Sequence, residues 1–434
     1  MYLSFIRMWL IGVIFILPFQ FRLSPLIQQW SNQAAAPIIS IDRITIVLFL
    51  VLAIREFYKN KEFPDPKQLI LLAPIIALSA TGVISGIVNG NSLLMTGSGV
   101  FSYVENFLVI FIYATFFSEV STFKKILRIF LVMMVFLVAV AIIQEFWALY
   151  FRYVLGLGID DERIYLLADL QNIPFADIWR SGIYRASSLF KHFNILGFLS
   201  LFIFTIYINL IKRANPVVVF FLYAGIFLSV SRMVYTGFAL MVVSQIYRER
   251  KWLITLVIPL IIILSIDYIP TYHSKTQISD ARQGVLEGGR FREITREKAM
   301  TIWKDHILLG RGPGAIQSIN RSPAYEEYNF GPALKEKIRV WGGIDQFWPI
   351  ILAEIGVAGA VIFSALFILL FVVIYKSRQE ADSDEVKGLF EGLLIYTAII
   401  IVSTISTNLH IRAIFYIYSA FLGMGLGYQR RYAQ

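Results

Sequence analysis

Residues 126–145 read ILRIFLVMMVFLVAVAIIQE, a run in which apolar side chains follow one another almost without interruption. A helix needs roughly 20 mainly apolar residues to cross the hydrocarbon core of a bilayer. Runs of this kind recur along the chain at 4–20, 40–55, 69–88, 101–117, 126–145, 194–211, 216–231, 233–247, 252–269, 347–375, 389–407 and 411–427. The sequence therefore predicts an all-α, polytopic membrane bundle of about 12 transmembrane helices, forming one integral membrane domain over residues 1–434.

Two of these runs leave alternatives open. The stretch 216–247 is interrupted by Ser229-Val-Ser-Arg232, so it is either two short spans or one broken helix. The stretch 347–375 is longer than a bilayer requires, which predicts that it tilts or extends beyond the hydrocarbon.

The composition agrees with a membrane protein. Of 434 residues, 57% are hydrophobic and 16% charged, whereas soluble domains carry more charge. The absence of cysteine excludes disulfides, cysteine zinc sites and thiol catalysis. The net charge of +10 arises largely from short connections between apolar runs, so we expect contact with membrane lipids and no nucleic-acid partner. The first run lacks a small-residue cleavage site and is expected to be a span, not a cleaved signal peptide.

Basic residues occupy every second connection. They are Arg55, Lys59, Lys61 and Lys67; Lys124 and Lys125; Lys212 and Arg213; Arg248, Arg250 and Lys251; Lys376, Arg378 and Lys387; and Arg430 and Arg431. The positive-inside rule puts all of them, and both termini, in the cytoplasm. Two large loops, about 146–193 and about 268–346, are then outside, where we expect function to concentrate.

The second outer loop carries a candidate phosphate-binding face. Its apolar positions Ile294, Ala299, Ile302 and Trp303 predict an amphipathic helix lying along the membrane surface. Arg292 and Arg296 are four residues apart and share one helical face. Their planar guanidinium groups suit a pyrophosphate, whereas the charge pattern alone, with Glu293 and Glu297 next to them, favours lipid headgroup contact or solvated charge.

The same loop continues as Gly310-Arg-Gly-Pro-Gly314, which is either a phosphate-cradling turn or a plain change of direction. It lacks the Gly-Lys-Ser/Thr ending of a nucleotide-binding loop, which favours the plain turn. At the end of the first outer loop, Arg185, Lys191, His192 and Asn194 lie at the predicted outer edge of the membrane. Interfacial anchors and a helix cap are the alternative for these four residues.

Acidic residues beside or within apolar runs form a third group. Asp345 stands at the entrance to the span 347–375, where it can serve as a base or as a helix N-cap. Glu354 and Glu105 lie inside apolar runs, so each must be neutral or paired.

Dedicated metal sites are not evident. Asp382-Ser-Asp384 could bind a metal–nucleotide-sugar, but it is more typical of solvated charge in a short cytoplasmic loop. The four histidines, His192, His273, His306 and His410, show no metal-binding spacing. We therefore expect no metal and no cofactor.

Three blocks resemble one known superfamily. Residues 185–194, Arg-Ala-Ser-Ser-Leu-Phe-Lys-His-Phe-Asn, are similar to a block Arg-x-x-Gly-x-Phe-x-x-Pro-Asn, with departures at Ser188 and Phe193. Arg292 followed by residues 305–314 resembles an Arg that precedes Asp-x-Pro-leucine-Gly-x-Gly, with Ile307 replacing proline. Asp345-Gln346, nine residues and Gly356-Val-Ala-Gly359 fit the spacing of His-[Asn/Ser/Gln], nine residues and Gly-x-x-Gly, with Asp345 replacing histidine.

The superfamily is that of the O-antigen ligases and O-antigen polymerases, membrane glycosyltransferases that use polyprenyl-pyrophosphate-linked glycans outside the cytoplasmic membrane. The resemblance implies that the chain lies in the inner membrane of a bacterium. The resemblance implies that Arg185 and Arg292 bind the pyrophosphate and that Asp345 is the catalytic residue. It implies His192, Asn194, Arg290 and Glu354 as supporting residues. The partners implied are a lipid-linked donor and acceptor, and a protein that regulates chain length.

Asp345 favours the polymerase branch, because the ligases carry at that position the histidine thought to be their base. The expected function is polymerisation of lipid-linked repeat units, in lipopolysaccharide biosynthesis. A ligase that transfers glycan to lipid A core or to a protein is the first alternative. A transporter or flippase of lipid-linked sugars is the second, although transporters usually bind at the membrane midplane and here the polar residues gather at the outer face.

Overall fold

A computed structural model describes residues 2–20, 23, 40–60, 65–158, 179–180, 183–184, 186–190, 193–211, 213–249, 291–316, 322–332, 334–335, 338, 346–404 and 412–432. The helices in these ranges are α1 Tyr2–Ile16, α2 Ile41–Asn60, α3 Pro66–Val88, α4 Leu93–Phe116, α5 Val120–Leu149, α6 Phe193–Leu210, α7 Pro216–Leu228, α8 Arg232–Glu249, α9 at 291–305, α10 Ala324–Glu327, α11 Phe347–Gln379, α12 Asp384–Ser403 and α13 Arg412–Tyr432. Two short antiparallel strands, β1 Trp179–Arg180 and β2 Ile183–Tyr184, pair with each other.

The predicted polytopic helical membrane fold is confirmed. Within the described residues, 7 helices are long and apolar enough to cross a membrane, and α7 and α8 contain shorter apolar segments. On α5, Phe130 and Met134 are buried, whereas Val132 and Phe136 are 72% and 59% exposed. Apolar side chains on both faces suit a helix that contacts protein on one side and lipid on the other. The number of about twelve spans stays a prediction, and the expected span 252–269 lies outside the described residues.

Ion pairs gather the predicted cytoplasmic segments at one end of the bundle, called here the basic end. Lys67 at the start of α3 lies 2.5 Å from Glu380 after α11, and Lys124 at the start of α5 lies 2.5 Å from Glu385 in α12. Arg7 of α1 pairs with Glu119 at 3.6 Å. These contacts agree with the alternation of basic connections, while the assignment of this end to the cytoplasm stays a prediction.

The two apolar runs whose structure the sequence left open, 216–247 and 347–375, both contain a break. The stretch 216–247 forms two helices, α7 and α8, separated at Ser229–Ser231, where Val230 has a φ of 43°. Helix α11 is interrupted at Gly356, whose φ of 66° and ψ of −165° are not helical. The extra length of 347–375 is therefore accompanied by a helix break. This break lies near the end of α11 opposite to Arg378, and we call this end of the bundle the far end.

Helix α5 extends beyond residue 146, the expected start of the first outer loop. Helix α5 runs to Leu149 and continues as a π-helical turn, Tyr150–Val154, past the expected boundary at 146. The apolar character of Phe146, Trp147 and their neighbours lets the helix continue, because no Gly or Pro interrupts it there.

Candidate functional site

The segment 310–316, called here the glycine loop, docks into the break of α11. The backbone N–H of Arg311 donates to the carbonyl of Ala353 at 2.8 Å, and that of Gly312 donates to the carbonyl of Glu354 at 2.9 Å. These carbonyls end the first part of α11 and would otherwise lack intrahelical donors. The glycine loop thus caps the carboxyl end of the first helical part.

The residues just before the glycine loop cap the second part of α11. The backbone N–H of Val357 donates to the carbonyl of Ile307 at 2.9 Å, and that of Ala358 donates to Leu308 at 3.1 Å. The amino end of a helix exposes N–H groups that attract anions. Here protein carbonyls occupy two of them, which makes the break a structural joint.

Glycine is required where the two backbones meet. A Cβ atom at Gly310 would lie 2.4 Å from the backbone of Glu354, and one at Gly356 would lie 2.4 Å from the backbone of Leu308. Both residues also have positive φ, 67° and 66°, a region that favours glycine. The glycines shared with the superfamily pattern therefore serve the close packing of the glycine loop against α11.

Glu354 is fully buried inside this joint. Its Oε2 accepts a hydrogen bond from the N–H of Gly314 at 2.9 Å and another from the hydroxyl of Tyr103 in α4. Its Oε1 accepts from the N–H of Ile316 at 2.7 Å. The expectation that Glu354 is neutral or paired is met by these three donors, which hold the glycine loop against α4 and α11.

The glycine loop cannot cradle a phosphate with its backbone in this arrangement. Every N–H from Gly310 to Ile316 donates to a protein acceptor, with Gly310 bonding to His306 and Ala315 bonding to Gly312. The guanidinium of Arg311 is similarly engaged, with Glu327 at 2.9 Å and the carbonyl of Asn89 at 2.9 Å. The plain-turn interpretation of Gly310–Gly314 is therefore the correct one.

Glu105 is a second buried carboxylate, and its charge is compensated by a cationic side chain. Arg43 at the start of α2 donates from Nε to Glu105 Oε2 at 3.1 Å and from a terminal nitrogen to Ser102 at 2.8 Å. Breaking such a pair would leave a buried charge, which is strongly destabilising. Glu105 is thus part of the contact between α2 and α4.

The predicted amphipathic helix in the second outer loop is confirmed as α9. Its buried face consists of Phe291, Thr295, Ala299 and Ile302, whereas Ile294 and Trp303 are only half-buried. This face packs on Ile316, Tyr325 and the first turns of α11. Arg292 and Arg296 lie on the exposed face, as their spacing predicted. The orientation of α9 along a membrane surface stays a prediction.

Arg292 lies next to the start of α11. The side-chain amide of Gln346 donates to the carbonyl of Arg292 at 3.1 Å. Helix α11 begins at Phe347, with Gln346 at the N-cap position and without a side-chain cap hydrogen bond from Gln346. Asp345 itself lies outside the described residues, but it precedes Gln346 in the chain.

Two tyrosines of the segment 322–330 hold α9 and the glycine loop in place. Tyr325 donates its hydroxyl to the carbonyl of Ile316, and Lys298 of α9 donates to the carbonyl of Tyr328 at 2.8 Å. Burial, together with the nearby charges of Glu327 and Asp305, raises the pKa of Tyr328 to about 12. Burial also raises the pKa of Tyr325, so both phenols stay protonated and act as donors.

The first superfamily block is attached to α5 through Ser188. Its N–H donates to Gln144 Oε1 at 2.8 Å, its carbonyl accepts from Gln144 Nε2 at 3.0 Å, and its hydroxyl donates to the carbonyl of Leu137 at 2.6 Å. Ser188 has a φ of 56°, in the left-handed region that favours glycine. This conformation explains why the superfamily pattern has glycine at the position of Ser188.

The neighbouring residues reach other helices. Ala186 donates its N–H to the carbonyl of Leu228, at the break between α7 and α8, at 3.1 Å. Asn194 lies in the first turn of α6 and is half-buried. Three predicted residues, Arg185, His192 and Arg290, lie outside the described residues.

Asp382-Ser-Asp384 has a structural role in this fold. Ser383 is the N-cap of α12, and its hydroxyl accepts from the N–H of Val386 at 3.3 Å. Asp384 lies in the first turn, where a negative charge favours the helix dipole. The helix cap is consistent with the interpretation as ordinary charge in a short loop.

Sequence reasoning missed Glu145, near the carboxyl end of α5. The residue is 9% exposed, and the backbone of Tyr184 in β2 lies beside its carboxyl group. The sequence does contain a signal for this residue, because Glu145 stands at the end of an apolar run. Glu105 and Glu354 were noticed because they lie within such runs. Its place beside the first superfamily block required the fold.

The O-antigen ligase family model matches residues 216–364, about a third of the chain. The matched range contains α9, the glycine loop and the break of α11, and it excludes the block at 185–194. The match confirms the predicted resemblance to the superfamily of O-antigen ligases and polymerases. It supports a membrane glycosyltransferase activity of that type, while the polymerase branch stays a prediction. No curated protein matches the chain.

Proposed function

We propose that this protein polymerises polyprenyl-pyrophosphate-linked repeat units at the outer face of a bacterial inner membrane. The hydroxyl of one lipid-linked unit attacks the anomeric carbon of a second unit. A new glycosidic C–O bond forms, the bond to pyrophosphate breaks, and polyprenyl pyrophosphate leaves with the electron pair. The leaving group is already activated, so no nucleotide is consumed.

Asp345 takes the proton of the attacking hydroxyl, as a general base. Arg185 and Arg292 hold the pyrophosphate, where negative charge grows as the bond breaks. Guanidinium groups suit this task because they donate two parallel hydrogen bonds to phosphate oxygens. His192, Asn194 and Arg290 are supporting residues, and Glu354 supports the site by holding the glycine loop.

The observation that carries the proposal is the hydrogen bond of 3.1 Å from Gln346 to the carbonyl of Arg292. It joins the residue next to the candidate base to the candidate pyrophosphate ligand. Arg292 lies on the exposed face of α9, which supports its choice as a ligand for a substrate that arrives from outside the fold.

A ligase that transfers a finished glycan is the second candidate, supported by the family match. Asp345, in place of the ligase histidine, favours the polymerase.

The test uses purified protein in lipid vesicles with purified lipid-linked repeat units as the only glycan. We expect products that are multiples of the unit; products that form only when lipid A core is added would instead identify a ligase, and the absence of both would contradict the proposal.

The location of the site is tested separately. The chain has no cysteine, so Ser383→Cys and Asn320→Cys introduce single labelling positions in the basic end and the second outer loop. In intact cells, an impermeant thiol reagent should label position 320 and not position 383. The reverse pattern would place the site in the cytoplasm and overturn the proposal.

A further inference from the structure

A short apolar turn projects from the protein where α9 ends. Residues 306–309, His-Ile-Leu-Leu, called here the apolar turn, connect α9 to the glycine loop. The side chains of Ile307 and Leu308 are 56% and 68% exposed. The apolar face of α9, by contrast, is buried against Ile316, Tyr325 and the first turns of α11. The most exposed apolar side chains of this region therefore belong to the turn and not to the amphipathic helix before it.

The second part of α11 gives the depth of the apolar turn in the membrane. The carbonyls of Ile307 and Leu308 accept hydrogen bonds from the first two N–H groups of this part, at 2.9 and 3.1 Å. The turn is thus level with Val357. At about 1.5 Å per residue, the helix covers roughly 30 Å between Val357 and Lys376 at the basic end, which is the thickness of the hydrocarbon core.

Helix α3 places the apolar turn at the same depth. The start of α3 is level with the end of α11, because Lys67 lies 2.5 Å from Glu380. Roughly 30 Å further along α3, the side-chain amide of Asn89 donates to the carbonyl of Gly310 at 2.9 Å, and the hydroxyl of Ser85 donates to it at 3.3 Å. Gly310 directly follows the apolar turn. Both helices therefore place the turn at the far boundary of the hydrocarbon core.

The exposed surface of the apolar turn continues the lipid-facing surface of these two helices. Helix α3 packs on α11, and both carry exposed apolar side chains along their length. They include Ile76, Ile84 and Val88 on α3 and Val361 and Ile368 on α11. Scattered exposed apolar residues are ordinary, but a contiguous apolar surface on membrane-spanning helices faces lipid. The apolar turn extends this surface at the far end.

We propose that Ile307 and Leu308 insert into the membrane leaflet at the far end and contact the acyl chains of the bilayer lipids. This contact fixes the depth of the glycine loop and of the carboxyl end of α9. Lys304, just before the turn, is exposed and reaches the headgroup phosphates, as long basic side chains do at a membrane boundary. Helix α9 therefore meets the membrane through the turn that follows it, since protein covers its own apolar face.

Spin labels test this contact. Because the chain has no cysteine, Leu308→Cys, Ile368→Cys and Glu326→Cys each introduce a single labelling position. Ile368 is exposed near the middle of the second part of α11 and is the lipid reference. Glu326, whose side chain is 86% exposed, is the water reference. All three replace exposed side chains, so the variants should unfold at the wild-type temperature, and Ile307→Cys provides a second position in the turn.

The labelled proteins are placed in vesicles of phosphatidylethanolamine and phosphatidylglycerol that contain no polyprenyl lipid. Relaxation of the label is measured with oxygen, which concentrates in hydrocarbon, and with a nickel complex, which stays in water. At positions 307 and 308, the ratio of the oxygen effect to the nickel effect should exceed that at position 326 and approach that at position 368. The depth of these labels should be roughly 5–10 Å below the headgroups.

Each other outcome would overturn the proposal. A ratio at positions 307 and 308 equal to that at position 326 would place the apolar turn in water. Labels shielded from both reagents would show that a second copy of the chain or another protein covers the turn. A high ratio that arises only after polyprenyl pyrophosphate is added would show that the turn binds the substrate's lipid and not the bilayer.

Discussion

Glu354 and Glu145 are both carboxylates buried near the far end of a long helix, and their surroundings are opposite. Glu354 receives hydrogen bonds from Gly314, Ile316 and Tyr103, and it joins three segments of the chain. Among the described residues, the carboxyl group of Glu145 meets the backbone of a single residue, Tyr184. Because a buried carboxylate is stable only when it is compensated, the three donors make Glu354 a structural link between α4, α11 and the glycine loop, and we expect the removal of Glu145 to cost less.

The same contrast extends to the segments that surround each glutamate. The glycine loop has every backbone N–H engaged, and its glycines leave no room for a side chain. The segment 186–190 is held to α5 by the hydrogen bonds of one strained residue, Ser188. We therefore expect substitutions in the glycine loop and its contacts to lower stability more than substitutions in the segment 186–190.

The largest effect should come from Glu354→Ala. It leaves two backbone N–H groups and the Tyr103 hydroxyl buried without an acceptor, which should lower the free energy of unfolding by about 3–5 kcal/mol. Thermal unfolding of the purified protein in detergent measures this loss. Glu327→Ala, which removes an ion pair of Arg311 at the surface, is the control and should cost less than about 1 kcal/mol. A Glu354→Ala protein as stable as wild type would contradict the structural role of Glu354.

Gly356→Ala should have the next largest effect. Gly90 has the same φ of 66° and serves as the matched control. A Cβ atom added at Gly90 would meet no atom within 4 Å, whereas one added at Gly356 would lie 2.4 Å from the backbone of Leu308. Gly90→Ala should cost about 1–2 kcal/mol for its left-handed conformation alone. Gly356→Ala adds overpacking of about 1–3 kcal/mol. Equal melting temperatures for the two variants would mean that the glycine loop is not packed against the break.

Hydrophobic runs predicted most of the membrane helices, because a bilayer demands about 20 apolar residues regardless of what the helix contacts. The break at Gly356 could not be predicted in this way, since the residues on both sides of it remain apolar. The need for a partner at Glu354 was predictable from its apolar surroundings. The identity of that partner was not, because Tyr103 is 251 residues away in sequence.

Arg292→Lys should reduce kcat/KM about ten- to a hundredfold, because lysine keeps the charge but loses the paired donors of guanidinium. Arg296 lies four residues further along the exposed face of α9 and is the matched control. Arg296→Lys should leave the rate of polymerisation unchanged, and both variants should unfold at the wild-type temperature. Equal losses of kcat/KM in the two variants would contradict a specific role of Arg292 and show that the exposed face of α9 contributes only general positive charge.

Ser188 offers the smallest and most specific effect. Ser188→Ala removes the hydrogen bond to Leu137 and keeps the strained φ of 56°, whereas Ser188→Gly removes both the bond and the strain. We expect the glycine variant to be the more stable of the two by about 1 kcal/mol, the reverse of the usual order for these residues. Chemical unfolding curves of the two variants measure the difference. A more stable alanine variant would contradict the strained conformation.

The site was less predictable than the fold. The spacing of Arg292 and Arg296 predicted a shared exposed face, and the structure agrees. The proximity of Arg292 to Gln346 was not deducible, because 53 intervening residues give no distance in space. Glu145 was overlooked because its proximity to Tyr184 and Ser188 arises only when residues 183–190 fold back on α5.

Asp345 carries the central claim that this protein is a glycosyltransferase with a general base at the start of α11. The direct measurement is the rate at which Asp345→Asn polymerises purified lipid-linked repeat units, with its melting temperature measured in parallel. The account predicts a loss of about a hundredfold or more at unchanged stability, since asparagine has the size of aspartate but cannot accept the proton. Asp345→His should keep part of the activity. A wild-type rate for Asp345→Asn would contradict the account.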